Sequence, residues 1–256
     1  MATLFDMDLR MRRRNRAARA GPELFLFERV FEDCLERIAL VQRRFERALL
    51  IGCPDPGWPE RLGEVAGEVE VRDPGTLFAA AANGEQIIED AWLPEPAGFD
   101  LVLSIGTLDT VNDLPLALRL IRHAFRGEGL LVAAMSGGDT LPRLRSAMRA
   151  ADAVLGIAAP HVHPRIEAAA LSPLLSDAGF AMPVVDVDRV QVAYGSFERL
   201  VRDLRGMAAT NILCARPARL NRRQRDAAIA AFAGEEERTT ETFEIVHCAA
   251  WAPPDG

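Results

Sequence analysis

A chain of 256 residues that is 49% hydrophobic and 26% charged has the make-up of a globular protein and too much apolar content for a disordered one. No run of roughly 18 uncharged apolar residues occurs, so no spanning helix is expected. The formal net charge of −7 argues against non-specific nucleic-acid binding. All 30 basic residues are arginine, which excludes Schiff-base, P-loop and other lysine chemistry. Cys34, Cys53, Cys214 and Cys248 are scattered without a CxxC pair, the pattern of neither a zinc site nor a disulfide framework. The start lacks the apolar core of a signal peptide, so a bacterial cytoplasmic protein is the expectation.

Residues 1–21 read as a basic arm, with six arginines between Arg10 and Arg19. It could be a solvated tail, a segment that docks on a partner, or a peripheral contact with anionic lipid at the inner membrane. Residues 22–256 read as one domain. Apolar residues at three- and four-residue steps from Glu23 to Arg44 predict an amphipathic helix. Ala48–Gly52 then predicts a buried parallel strand. Further strands are expected at Glu68–Arg72, Gln86–Glu89, Leu101–Ile105 and Leu130–Met135. Helices near Trp58–Val65, Thr76–Ala82 and Leu114–Phe125 alternate with them. Beyond Met135 come an inserted helical segment at about 139–180, a strand at Pro183–Val187, helices near Phe197–Met207 and Asn221–Phe232, and a half-buried antiparallel strand at Thr239–Trp251. Alternating strands and helices mean right-handed βαβ crossovers and a parallel sheet.

A mostly parallel α/β sheet closed by an antiparallel last strand, with helices on both faces, resembles the Rossmann-like fold of class I S-adenosylmethionine-dependent methyltransferases. Ligands of such sheets lie beyond the carboxyl ends of the strands. After the first strand, Gly52-Cys53-Pro54-Asp55-Pro56-Gly57 matches only the first glycine of a cofactor loop, and its prolines lack the N–H donors such a loop uses. A plain strand-to-helix turn is the alternative. Asp73, ending the second strand, is a candidate acceptor for ribose hydroxyls or a turn carboxylate before Pro74-Gly75. Glu89 and Asp90 could face an adenine amine with Trp92 beside the ring, or form an exposed pair.

Val111-Asn112-Asp113-Leu114-Pro115, Ser136-Gly137-Gly138-Asp139-Thr140-Leu141, Pro160-His161-Val162, Val190-Gln191-Val192 with Tyr194, and Asp203-Leu204-Arg205-Gly206-Met207 stand in a specific order behind Phe5-Asp6 and Arg16-Ala17-Ala18-Arg19. From residue 3 to the last strand, this order resembles the methyltransferase-like assembly factor of respiratory complex I in mitochondria and alphaproteobacteria. Asp109-Thr110 stands where that family has His-Trp. The resemblance implies a protein partner, a complex I subunit carrying an iron–sulfur cluster, and modification of an arginine, by hydroxylation in the mitochondrial relative.

The candidate site is therefore as follows. Gly52, Cys53, Asp73, Glu89, Asp90 and Ser104 would bind S-adenosylmethionine, and Asp139, Asn112 and Asp113 would be catalytic. Gly137, Gly138, Arg145, His161, Gln191 and Tyr194 would bind the substrate. Asp139 could pair with a substrate guanidinium, or Asp139 or Thr140 could simply cap a helix. Gln191 and Tyr194 could line the substrate mouth or pack in the core. His161 and His163 form an HxH to which Asp139 could add a third metal ligand, although a loop without metal is the favoured reading. Three functions remain open: a methyltransferase acting on a protein arginine in complex I assembly, an arginine hydroxylase on the same fold, and a non-catalytic binding protein with a degenerate cofactor loop.

Overall fold

The computed structural model describes residues 3–94, 98–233 and 237–254. Its seven strands are β1 (Phe45–Ile51), β2 (Ala66–Asp73), β3 (Glu85–Gln86), β4 (Phe99–Ile105), β5 (Phe125–Ser136), β6 (Ala181–Tyr194) and β7 (Thr239–Ala252). They form one sheet in the order β3-β2-β1-β4-β5-β7-β6. Strands β1 to β5 pair in parallel, and β7 runs antiparallel to both β5 and β6. This is the sheet of the class I methyltransferases, with the antiparallel strand last in the chain as expected.

Helices α1 (Met7–Ala20), α2 (Phe25–Leu40), α3 (Trp58–Leu62) and α4 (Thr76–Ala81) precede β3. They are followed by α5 (Leu114–Ala124), α6 (Pro142–Ala153), α7 (Ala168–Asp177), α8 (Phe197–Gly206) and α9 (Arg222–Ala233). The central strands are apolar on both faces because both are covered. One face packs Leu49, Val102 and Leu131 against Leu118 and Ile121 of α5 and Leu171 and Leu175 of α7. The other packs Leu50, Leu103 and Val132 against Val30, Phe31, Cys34 and Ile38, which share one side of α2. A third cluster joins α6, α8 and α9 beside the sheet. Among the described residues no helix is long and apolar enough to cross a membrane.

Several boundaries move for physical reasons. Helix α2 stops at Leu40, four residues before the expected end, and Gln42 turns left-handed at φ 53°. Strand β6 spans fourteen residues where five were expected. It is an edge strand whose side chains alternate in exposure, so Asp186, Asp188 and Gln191 dilute its apolar signal. Strand β3 ends at Gln86, and Glu89 turns into the protein instead of continuing it. The largest difference is the basic arm. Asp6 accepts the Leu9 amide and starts α1, whose Arg10, Arg14 and Ala17 form a buried face at helical spacing.

Candidate functional site

The turn after β1 sets the geometry at the carboxyl ends of the strands. Gly52 has φ +85°, and a Cβ there would lie 2.3 Å from the Ile105 carbonyl oxygen, so only glycine lets β1 and β4 end this close together. The following amide, Cys53 N, donates to Asp73 Oδ2 at 2.9 Å, and Gly75 N donates to Asp73 Oδ1 at 2.6 Å. The β1 and β2 loops are thus joined through one carboxylate. The Cys53 thiol is pushed up to about 12 by burial and then by the nearby Asp73 charge, so it is no nucleophile near neutrality.

Helix α1 lies over these loops. Arg14 donates to both oxygens of Asp73, with Nε at 2.7 Å from Oδ1, and its guanidinium sits 5.1 Å from the Phe78 ring centre. One turn earlier, Arg10 grips Glu89 with two bonds, 2.6 and 2.8 Å, and gives a further bond to the Thr107 carbonyl at 2.7 Å. Asp73 and Glu89 are both 0% exposed. The helix is held at its other edges too. Asn112 Oδ1 accepts the Leu4 and Phe5 amides and its Nδ2 donates to the Phe5 carbonyl. Asn15 bonds Thr76 and the Leu77 amide, and Phe5 packs with Ile212 and Leu213.

Beside α1 lies a cavity of about 110 Å³. Met135 and Ser136 at the end of β5, Arg10, His163, Arg165 and Glu244 contribute to its wall. Arg165 forms a buried ion pair with Asp109. Burial, followed by the positive charges of Arg13, Arg145 and Arg10, holds His163 down at about 4. It is neutral near pH 7, and its Nε2 accepts the Ile212 amide at 2.9 Å.

None of the fifteen residues named from the sequence as catalytic, cofactor- or substrate-binding lines this cavity among the described residues. Asp73 and Glu89 are buried beneath α1 as partners of arginine. Asp90 accepts the Asn112 and Asp113 amides, and Asp113 caps α5 through the Leu116 amide, so these residues brace the loop after β4. Ser104 is buried against the Thr107 hydroxyl. Gly137 and Gly138 pack against Glu244 and Glu167, where a Cβ would collide. Asp139 is exposed, pairs with Arg189 and is not among the residues that line the cavity. The helix cap expected of Asp139 or Thr140 comes instead from Glu241 on β7, which accepts the Arg143 and Leu144 amides. The Thr140 hydroxyl is engaged with the Glu244 backbone. Arg145 bonds the carbonyls of Thr140 and His163. His161 bonds Asp152, away from His163 and Asp139, so the HxH and the aspartate do not converge. Gln191 is exposed on the edge strand, and Tyr194 is buried in the cluster of α6, α8 and α9, so neither opens onto the cleft.

S-adenosylmethionine, which the fold family implies, does not fit this arrangement. The four acceptor positions of Asp73 are taken by Arg14, Cys53 and Gly75, and both oxygens of Glu89 are engaged by Arg10, so a ribose diol or an adenine amine would have to displace or compete with an arginine. Stripping one partner from a buried ion pair costs about 3–5 kcal/mol. Two such losses are on the order of the roughly 8 kcal/mol that micromolar binding supplies. Arg10 and Arg14 are the buried partners that reading the sequence for acids and glycines missed. Their four-residue spacing is a signal, but it marks a buried helix face only if arginine is allowed to point inward.

No family model matches the chain. The mitochondrial arginine-hydroxylase NDUFAF5 of Rattus norvegicus is 33% identical over 265 residues, covering 97% of this chain and 77% of that protein. The malonyl-[acyl-carrier protein] O-methyltransferase of Xylella fastidiosa is 35% identical over 161 residues, covering 61% of this chain and 53% of the relative. In structure, the YcgJ protein of Bacillus subtilis aligns with a TM-score of 0.59 at 11% identity, covering 88% of this chain and 99% of that one.

Proposed function

This chain belongs to the family of the arginine-hydroxylase NDUFAF5, and from that premise we propose that it is a methyltransferase-like protein that acts on an arginine side chain of a protein partner in respiratory complex I assembly. The observation that carries the reading is the 33% identity to an arginine-hydroxylase NDUFAF5 over 97% of this chain. The names of the NDUFAF5 relatives point to arginine as the target. The place of work would be the cytoplasm, against the inner-membrane complex.

The test is mass spectrometry of arginine-containing peptides from respiratory complex I in cells with and without the gene. Loss of a one-oxygen increment on deletion, restored by the wild-type gene, supports a hydroxylase. Loss of a methyl increment instead supports methyl transfer, the reading favoured by the fold and by the O-methyltransferase relatives. An assembly defect with every arginine unchanged leaves a binding role and removes the catalytic one.

A further inference from the structure

Two of the three acids expected to receive a nucleoside, Asp73 and Glu89, are the acids that receive α1. Asp73 ends β2 and Glu89 follows β3, and each is fully buried beneath a guanidinium from the same helix face. The contact is built on both sides. Arg14 and Asn15 press on the β2–α4 turn so closely that a Cβ on Gly75 would lie 2.7 Å from Arg14 Cβ. Asn112 and the Phe5 cluster anchor the segment leading into the helix. Arg10 also bonds the Thr107 carbonyl beside the end of β4.

We propose that α1 is the resident occupant of the nucleoside site. Arg10 and Arg14 take the carboxylate oxygens that a ribose diol and an adenine amine would take, so S-adenosylmethionine is excluded while the helix is docked. Each guanidinium supplies several in-plane donors and satisfies its carboxylate without a ligand. A nucleoside would bind only the fraction of molecules with α1 undocked, and its apparent dissociation constant rises in inverse proportion to that fraction. The inference is independent of the target arginine, because it concerns only what fills the β2–β3 side of the cleft.

The experiment is calorimetric titration of the full chain and of an Arg10→Ala/Arg14→Ala variant with S-adenosylhomocysteine. The full chain is expected to give no saturable heat up to millimolar ligand, and the folded double variant to bind at least about tenfold more tightly. Micromolar binding to the full chain overturns the proposal. So does a double variant, folded by circular dichroism, whose affinity is no higher. Should that variant fail to fold, Arg14→Lys keeps the charge but not the forked contact. Severalfold tighter binding by Arg14→Lys than by the full chain sustains the proposal, and unchanged binding overturns it.

Discussion

The cleft and the outer edge of the sheet use the same pair of residue types to opposite effect. Beneath α1, Arg14–Asp73 and Arg10–Glu89 are sealed, with side chains no more than 6% exposed. On the rim, Arg37 of α2 grips Asp186 of β6 with two bonds, 2.6 and 2.9 Å, but its side chain is 33% exposed and that of Asp186 43%. Arg29–Asp188 is comparably open. Distances and donor geometry barely distinguish the two regions. What differs is the state left behind when one partner goes: water can solvate the survivor on the rim but not in the cleft. The same chemistry is therefore a fixed part of the fold in one place and a light surface contact in the other.

The strongest way to break this comparison is Arg14→Ala, which strands the Asp73 carboxylate. We expect it to lower stability by about 3–5 kcal/mol, with a melting point lower by about 2–4 °C per kcal/mol. A loss below about 1 kcal/mol would make the cleft no different from the rim. Arg14→Met combined with Asp73→Asn removes both charges but keeps an acceptor oxygen for only one of the Cys53 and Gly75 amides, so it should recover part of the loss and not all of it.

The next effect is one of pH. His163 is held at about 4 in the folded protein against 6.5 for the free side chain. Between those values the unfolded chain carries a proton that the folded chain refuses. Stability from this group is complete above pH 6.5 and falls as pH drops toward 4, by about 1.4 kcal/mol per unit, or about 3 kcal/mol in all. Denaturant titrations of the wild type and His163→Gln should differ in slope over that window. Parallel curves would mean that the loop around His163 is wetter than its burial indicates.

A smaller effect tests how α1 is tethered. Asn112→Ala deletes three bonds to residues 4 and 5 and should cost about 2 kcal/mol. It should also speed hydrogen exchange across α1 while leaving α5 protected, because Asp113 still caps that helix. Uniform loss of protection would place the tether in the global core instead. Smallest of all, Arg37→Ala on the rim should cost less than about 1 kcal/mol, read by the same thermal melts.

The order of strands and helices was legible in the chain because it rests on local periodicity. Ala48–Ile51, Leu101–Ile105 and Leu130–Met135 announce strands buried on both faces, and the alternation through Phe243, Ile245 and His247 announces an antiparallel strand, but not a half-buried one: β7 lies between β5 and β6, and Glu244, Val246 and Cys248 are buried as well. The acids were legible as positions: Asp73 ends β2 and Glu89 follows β3, and both are buried. Their partners were not. Hydropathy assigns Arg10 and Arg14 to solvent, and only the close approach of α1 to the β2–α4 turn makes burial of both charges affordable together. The roles expected of Asp139, Gln191 and Tyr194 depended likewise on which side of a strand or loop faced the cleft. Residue type alone does not specify that; the twist of β5–β7–β6 and the packing of α6, α8 and α9 do. Local sequence sets which segments form strands and helices because those preferences act over a few neighbours. Pairing a charge from residue 14 with one from residue 73 is a long-range matter, decided only when the folded sheet brings them together and removes the water between them.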